Sequence, residues 1–406
     1  MEFPTQVGFA QKGTNIIAAD KYDMRDDLVP RRLTMAMWDQ AFLLRHVPGG
    51  AFEDFDKVLD ETIERGYNTV RLDPMPQLIN LDRPEQVHVW PEAHVPYMPW
   101  YTNKGMEGPV CRWLIEFMEK LLSRDLYYTL SSWWYSDLAF GPKPSRTPSN
   151  HVEAAEIYSD FLRLWEKRFG FDRLVYVDIA NEVPYFLPGY LNLLKEKVGL
   201  DWGAAAEFTA EQAEFIKSDI NSALAGLRRM FPQLRFICSI HADTRWLKAG
   251  VEFDCLDVHF WADADPRWLQ RTCFHDMIKP GSFINEWPMF CDPSQYADFS
   301  DRCKKTYTAV RPMLRARQRQ KLAEFSNWAR LNGMPLTTSE SWASWFYIDH
   351  PDLDWGWLLS WAQESVEDAI DFGMWGWTPH NYVQPQFENW KNVHWHQQLT
   401  RRFLAS

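Results

Sequence analysis

Eight short runs of apolar residues recur along the chain, and a longer segment of mixed polarity follows each of them. Near-continuous apolar character, as in Leu174-Val175-Tyr176-Val177, is typical of a parallel β-strand that other elements cover on both faces. The predicted strands are Leu33 to Trp38, Asn68 to Asp73, Tyr127 to Ser132, Leu174 to Ala180, Leu234 to Ile240, Cys255 to Phe260, Pro335 to Glu340 and Phe372 to Trp377.

The segments between these runs have helical character, and several end in glycine just past the last turn, as at Gly66 and Gly170. The predicted helices are Ala51 to Arg65, Val110 to Arg124, Val152 to Phe169, Ala204 to Met230, Pro312 to Leu331, Leu353 to Asp371 and Glu388 to Phe403. Repeated strand-helix alternation predicts an α/β fold, specifically a (β/α)8 TIM barrel.

No segment rich in proline, glycine or serine marks a boundary between domains, so we expect one catalytic domain over residues 1–406. Three parts exceed what a minimal barrel needs: an N-terminal arm at 1–32 and insertions at about 75–109 and 261–311. The two insertions follow predicted strands two and six. Long loops at the carboxyl ends of barrel strands usually form the substrate cleft.

Charge and composition limit the classes of function. The formal net charge of -12 argues against a nucleic-acid partner, which requires a basic face. The one compact basic run, from Arg311 to Lys321, is interpreted as the solvated face of a helix. No apolar stretch reaches the length of a membrane span and no signal peptide is visible, so we expect no membrane partner and a cytoplasmic location. The sequence does not indicate an oligomeric state.

Two carboxylates stand at the ends of well-separated apolar runs. Glu182 ends Val177-Asp178-Ile179-Ala180-Asn181-Glu182, and Glu340 ends Leu336-Thr337-Thr338-Ser339-Glu340. In a parallel barrel such acids converge across one mouth, as a glycosidase requires. A salt-bridged loop carboxylate is the alternative for Glu182. A second Asn-Glu pair at Glu286 competes for the acid role, but it falls in the insertion after strand six, where a place in the cleft wall is favoured.

The whole set of strand ends resembles the clan of retaining β-glycosidases with (β/α)8 folds that includes the cellulases of glycoside hydrolase family 5. In that clan the acid/base glutamate follows asparagine at the end of strand four, which matches Asn181-Glu182. The nucleophile ends strand seven, which matches Glu340. Counting strands along this chain gives the same two positions, and the matching motifs are spread over roughly residues 33 to 380.

The resemblance implies further site residues. Arg71 in Tyr67-Asn68-Thr69-Val70-Arg71 matches the arginine that supports the nucleophile, and His259 in Asp257-Val258-His259 matches a histidine that lines the cleft. Trp375-Gly376-Trp377 is similar to the strand whose tryptophan stacks under the sugar. One departure is Trp261, which stands where the clan usually has a tyrosine bonded to the nucleophile, and this puts the support of the nucleophile in doubt.

The implied mechanism is a double displacement on a β-linked oligosaccharide or glycoside, without a cofactor. Glu340, beside Arg71, is expected to have a lowered pKa and to attack the anomeric carbon. Glu182, near that negative charge, is expected to have a raised pKa and to protonate the departing oxygen. A transglycosylase could use the same intermediate.

Aromatic residues are the other candidates for sugar binding, because the chain has 22 tryptophans. Six of them lie at or just past predicted strand ends: Trp38, Trp133, Trp134, Trp261, Trp342 and Trp345. Packing between barrel and helices is the alternative for each.

His241 and His259 follow strands five and six, and Asp257 is placed to orient His259. They could be imagined with Glu182 as metal ligands, but no metal-binding spacing is present and contacts to sugar hydroxyls are favoured. A non-catalytic sugar-binding barrel is a further alternative.

Overall fold

The computed structural model describes residues 28–90, 105–134, 144, 146–274, 283–284, 287–288, 292–342 and 350–406. The strands in these ranges are β1 Leu33–Asp39, β2 Thr69–Leu72, β3 His88–Trp90, β4 Met106–Gly108, β5 Tyr127–Ser131, β6 Leu174–Asp178, β7 Phe236–Ile237, β8 Ile240–His241, β9 Leu256–Trp261, β10 Phe283–Ile284, β11 Trp287–Pro288, β12 Leu336–Thr337, β13 Ser341–Trp342 and β14 Gly376–Trp377. The α-helices are α1 Ala41–Leu44, α2 Phe55–Glu64, α3 Val110–Leu122, α4 His151–Phe169, α5 Tyr190–Val198, α6 Ala210–Met230, α7 Pro266–Thr272, α8 Tyr296–Leu331, α9 Gly356–Asp371 and α10 Val393–Leu404.

Ten of the strands form one parallel sheet that closes on itself. Its order runs β14, β1, β2, β5, β6, β7, and β8 continues the line of β7 and pairs with β9. β9 pairs with β12 and β13, and β12 pairs with β14, which completes the ring. The fifth and seventh barrel positions are each built from two short strands. The predicted TIM barrel is therefore confirmed.

The barrel core explains why the apolar runs become strands. All seven residues of β1 are buried, and so are all five of β6, because side chains fill the barrel on one face and helices cover the other. Local signals fix the helix ends. Asn150 caps α4 by accepting from the Glu153 backbone N–H, and α6 begins with a capping box between Thr209 and Gln212.

Four helices differ from prediction. α1, α5 and α7 were not predicted, and α8 begins at Tyr296 instead of Pro312. Proline favours the first turn of a helix, which is why Pro312 predicts a start, but here it lies inside a helix of 36 residues. The insertion predicted at 261–311 therefore contains α7 and about four turns of α8.

The basic run of α8 is a seam between helices, so its interpretation as a solvated face was wrong. Arg315 Nη2 lies 2.9 Å from Asp368 Oδ1 on α9, and Arg319 pairs with the same carboxylate. Arg317 pairs with Asp265 at the start of α7. The Asp368 side chain is fully buried, so these arginines neutralise a charge between α8 and α9.

The other extensions are partly described. In the insertion at about 75–109, β3 and β4 form an antiparallel hairpin, while residues 91–104 lie outside the described ranges. The same is true of residues 1–27 of the arm. In the described part of the chain, no helix is long and apolar enough to cross a membrane.

Candidate active site

Arg71, at the carboxyl end of β2, is the centre of a buried network of hydrogen bonds. Its Nη1 donates to both oxygens of Asp39, at 2.8 and 3.0 Å, and to Glu340 Oε1 at 2.6 Å. Its Nη2 donates to Ser131 Oγ at 2.7 Å and to Asn181 Oδ1 at 2.5 Å. A planar guanidinium with this many partners has one position, so Arg71 fixes the carboxylate of Glu340.

Glu340 lies in the break between β12 and β13, and strand pairs on both sides hold its backbone. Its second oxygen, Oε2, faces the Asn381 amide nitrogen at 3.4 Å. Burial raises the pKa of Glu340 above its ordinary value, and the positive charges of Arg71 and His259 oppose that rise. The sequence-based expectation of a lowered pKa was therefore wrong, because desolvation at this depth exceeds the effect of the guanidinium.

Glu182 follows β6 on a residue with a positive φ of 45°, and its backbone N–H donates to Ser239 Oγ at 2.9 Å. Three side chains surround its carboxylate. His259 Nδ1 lies 2.7 Å and Trp261 Nε1 2.9 Å from Oε1. His241 Nε2 lies 2.9 Å from Oε2. The carboxylate therefore has a nitrogen partner on each oxygen.

These neighbours also correct the pKa expected for Glu182. Burial raises its pKa, but His241 and His259 outweigh burial and hold the pKa well below the usual range. Burial lowers the pKa of His259, but Glu340 and Glu182 outweigh it and raise that pKa to about 9. Without substrate, the proton of this group therefore resides on imidazole and Glu182 is ionised.

The two carboxylates converge as the strand count predicts. Glu182, His259 and Glu340 each present an atom such that all three atoms lie within 4.8 Å of one another. A divalent cation does not suit this set, because a protonated His259 has no free lone pair and Arg71 already occupies Glu340.

Asp257 reaches His259 mainly through Ser339, whose hydroxyl donates to Asp257 Oδ2 at 2.6 Å and lies 3.3 Å from His259 Nε2.

Asn181 stands beside Arg71 and Glu182 with its amide in a fixed orientation. Its Oδ1 accepts from Arg71 Nη2 and, at 3.0 Å, from Ser239 Oγ. Its Nδ2 is buried and has no hydrogen-bond partner in the described part of the protein. The side chain is therefore placed to donate to a bound sugar hydroxyl.

Trp261 contacts Glu182, whereas the resemblance implies a contact with Glu340. Its indole N–H donates to Glu182, so the position that carries tyrosine in the clan supports the acid/base candidate here. Glu340 is held instead by Arg71 and Asn381.

Two tryptophans of the eighth strand are not at the cleft, which corrects their predicted contact with sugar. Trp377 donates to Ser365 Oγ on α9 at 3.3 Å, and its ring packs 5.6 Å from Phe403 on α10. Trp375 precedes β14 and donates to the Pro30 carbonyl at 2.8 Å. Both are buried between barrel and surrounding segments, because residues two apart along a strand face the same side, here the outer one.

The same correction applies to Trp38. It is fully buried, donates to the Val383 carbonyl at 3.0 Å and packs edge-on against Phe52 at 5.0 Å. Trp133 lies just past β5 with its ring 4.2 Å from Phe186, and its part in sugar binding stays a prediction. Trp134 and Trp342 are also buried in packing roles, while Trp345 and the competing acid Glu286 lie outside the described residues.

Sequence reasoning missed three polar residues of the site. Asp39 follows an apolar run just as Glu182 and Glu340 do, so the same signal could have found it. Asp73 accepts from Gln40 Nε2 at 2.7 Å, and burial raises its pKa to about 6. Asn381 lies in the segment after β14, where no motif of the sequence pointed to it.

The chain is similar to a known protein family and to solved structures. A family model described as cellulase-like, sugar-binding cellulase-like, matches residues 35–404. A solved structure from Parabacteroides distasonis, provisionally described as a glycoside hydrolase, is 26% identical with a TM-score of 0.74, over 92% of this chain and 93% of that chain.

Two more distant structures also match. A glycoside hydrolase family 5 mannosidase from Rhizomucor miehei is 11% identical with a TM-score of 0.47, over 93% of this chain and 94% of that chain. Thermotoga maritima Cel5A, in complex with mannotriose, is 11% identical with a TM-score of 0.48, over 92% of this chain and 98% of that chain. The search of curated proteins gave no match. Because the family model covers most of its length, the chain belongs to the sugar-binding cellulase-like family.

Proposed function

We propose that the protein is a retaining β-glycoside hydrolase that acts on oligosaccharides, with Glu340 as nucleophile and Glu182 as acid/base. The observation that carries this proposal is the separation of the two carboxylates, whose nearest atoms lie within 4.8 Å. Retaining glycosidases hold their two carboxyl groups about 5 to 5.5 Å apart, and inverting ones about 6.5 to 9.5 Å apart to admit a water molecule. The spacing here therefore favours direct attack by one carboxylate.

In the first step, one oxygen of Glu340 attacks the anomeric carbon while the bond to the leaving oxygen breaks. Arg71 orients Glu340 through the 2.6 Å bond to Oε1, so the attacking group is already positioned. The leaving oxygen takes a proton from Glu182, and the sugar remains bonded to Glu340. In the second step Glu182 removes a proton from water, and that water displaces Glu340.

The unliganded site supports this division of roles through its contacts. Glu182 is bordered by two histidines, which supply the proton that the leaving oxygen requires. The hydrogen bonds that the Glu340 carboxylate accepts come from Arg71 and Asn381, and neither of these can donate a proton to a leaving group.

The decisive experiment is a screen of aryl β-glycosides and natural disaccharides on the wild type beside Glu340→Ala. We expect the variant to lose turnover and to regain it with azide, forming an α-glycosyl azide. The matched control is Glu211→Ala, an exposed glutamate on α6, which should behave as wild type. NMR of the first product formed by the wild type should show the β anomer.

Retained turnover in Glu340→Ala, or an α anomer as the first product, would contradict the mechanism. Loss of wild-type activity with a chelator would favour a metal-dependent hydrolase instead. Saccharide binding without turnover of any glycoside would favour a non-catalytic sugar-binding barrel, and transfer of the sugar to an alcohol would identify a transglycosylase.

A further inference from the structure

The contacts of Glu182 restrict where its catalytic proton can reside. Oε1 already accepts two N–H groups, from His259 Nδ1 at 2.7 Å and Trp261 Nε1 at 2.9 Å. An oxygen that accepts two short hydrogen bonds has no further site for a carboxyl hydrogen. The acid form of Glu182 must therefore carry its proton on Oε2.

Oε2 has a titratable neighbour at 2.9 Å, the Nε2 atom of His241. The two groups come from neighbouring barrel positions, because β8 carries His241 and the bridge between Val183 and Ile240 ties the segment after Glu182 to that strand. Oε2 and Nε2 are therefore close enough to exchange an acid proton once the imidazole N–H is aligned with the carboxyl.

His241 is also the group of this cluster that reaches solvent. Its side chain is 24% exposed, whereas those of Glu182 and His259 are 6% and 0% exposed. A proton that enters or leaves the cluster from water therefore meets His241 before it meets Glu182.

We propose that His241 is a positioning residue that exchanges a proton with Glu182 Oε2, which loads the acid for the leaving group. This inference rests on the proposed function. Before the first step, Nε2 of protonated His241 gives its proton to Oε2, leaving neutral imidazole and the carboxyl acid. The acid then protonates the leaving oxygen and becomes a carboxylate. In the second step the carboxylate takes a proton from the attacking water, and that proton returns to Nε2, so the cycle has no net proton change.

Several charged or titratable groups surround His241. Glu182 lies in contact, and His259 is its direct neighbour across β8 and β9. The Tyr185 ring stands 4.9 Å from the imidazole. Asp243 and Arg245 follow in the same segment and pair with each other at 2.6 Å, so their charges largely cancel. Glu182 and His259 therefore dominate the electrostatic environment of His241.

The test is His241→Gln, whose amide can donate to Oε2 but cannot exchange a proton. Phenyl β-glycosides need protonation of their leaving oxygen, whereas 2,4-dinitrophenyl β-glycosides do not. We expect kcat/KM to fall about 10- to 100-fold for the phenyl substrate, which is less than the roughly 10²- to 10⁴-fold of full general acid catalysis because Glu182 is still present. The loss for the dinitrophenyl substrate should be at least tenfold smaller, and the pH profile for the phenyl substrate should lose the limb that His241 contributes.

His394→Gln, at an exposed position of α10, is the matched control and should leave both substrates unaffected. Equal loss on both substrates, or no loss on either, would overturn the role of His241 while leaving the glycosidase assignment intact. Absence of any turnover by wild type would instead overturn the proposed function.

A measurement that needs no turnover tests the inference if the wild type is inactive or if His241→Gln fails to fold. The ¹⁵N NMR signals of the His241 imidazole should respond to pH differently in Glu182→Gln, because the neutral amide cannot take a proton from Nε2. If the His241 signals of wild type and Glu182→Gln follow pH identically within roughly 0.2 pH units, about the error of such a measurement, the two groups do not share a proton.

Discussion

Replacing Arg71 by lysine tests whether one guanidinium organises the whole site. Arg71 makes contacts through two nitrogens, with Asp39, Glu340, Ser131 and Asn181. Lysine keeps the charge but has one nitrogen and at most three donors, so at least two of the five hydrogen bonds are lost. A buried hydrogen bond to a charged group contributes about 1.5 to 3 kcal/mol, which gives a loss of about 3 to 6 kcal/mol.

That loss of stability corresponds to a measurable decrease in melting temperature. Unfolding entropy is about 2.1 cal/mol/K per residue near 60 °C, or about 0.85 kcal/mol/K for 406 residues. Arg71→Lys should therefore lower Tm by about 4 to 7 °C in calorimetry at one scan rate. It should also lower kcat more than it changes KM, because Glu340 loses its fixed position.

The control is Arg402→Lys, whose partner is Glu367 and whose side chain is 58% exposed. Exposed ion pairs contribute little, so this variant should melt as wild type does. If Arg71→Lys also melted within 1 °C of wild type, on the order of experimental error, the guanidinium would not be the organising group that its contacts indicate.

Three further predictions follow from other parts of the structure. Glu182→Gln should reduce kcat/KM by about 10²- to 10⁴-fold for poor leaving groups and much less for activated ones; equal losses would argue against an acid role. Burial holds the pKa of His380 well below 6.5 and lowers that of His396 to about 3, so the unfolded chain binds more protons below pH 6.5. The stabilisation from both histidines is present above that pH and is lost as pH falls. Between pH 6.5 and 4.5, His396 alone should lower the free energy of unfolding by about 2 to 3 kcal/mol. A Tm that holds constant over this range would contradict this. Trp377→Phe should lower Tm with kcat/KM unchanged. Trp261→Phe removes one hydrogen bond to the charged Glu182, so it should lower kcat/KM about tenfold and Tm by no more than about 2 to 4 °C. A loss of kcat/KM in Trp377→Phe without one in Trp261→Phe would return Trp377 to the cleft.

The sequence predicted the barrel and both carboxylates because these depend on patterns that recur along the chain. The strand count that placed Glu182 and Glu340 at positions four and seven is confirmed by the pairing of β6 with its neighbours and by the position of Glu340 between β12 and β13. Their roles as acid/base and nucleophile stay predictions, as does the cytoplasmic location.

Other features depend on packing that a single sequence does not specify. Whether Trp38 and Trp377 point into the barrel or outward depends on the alternation of side chains along each strand, and a shift of one residue in register reverses it. The pKa order of the two carboxylates was wrong because His241 and His259 converge on Glu182 from separate strands, and no local motif records that convergence. The extent of α8 was missed because Pro312 is tolerated inside it.

The charges around Arg71 have a consequence for the kind of sugar that the cleft accepts. Asp39, Glu340, Asp178 and Asp257 all act on this one arginine, and burial raises the pKa of Asp39 well above its ordinary value while Arg71 opposes that rise. Even so, acidic groups remain in excess around the guanidinium. A uronic acid or a sulfated sugar would bring a further negative charge into this buried space and be repelled. We expect neutral sugars to inhibit more strongly than their uronic acid counterparts, and the reverse order in matched pairs would show that the acids are more fully neutralised than their contacts imply.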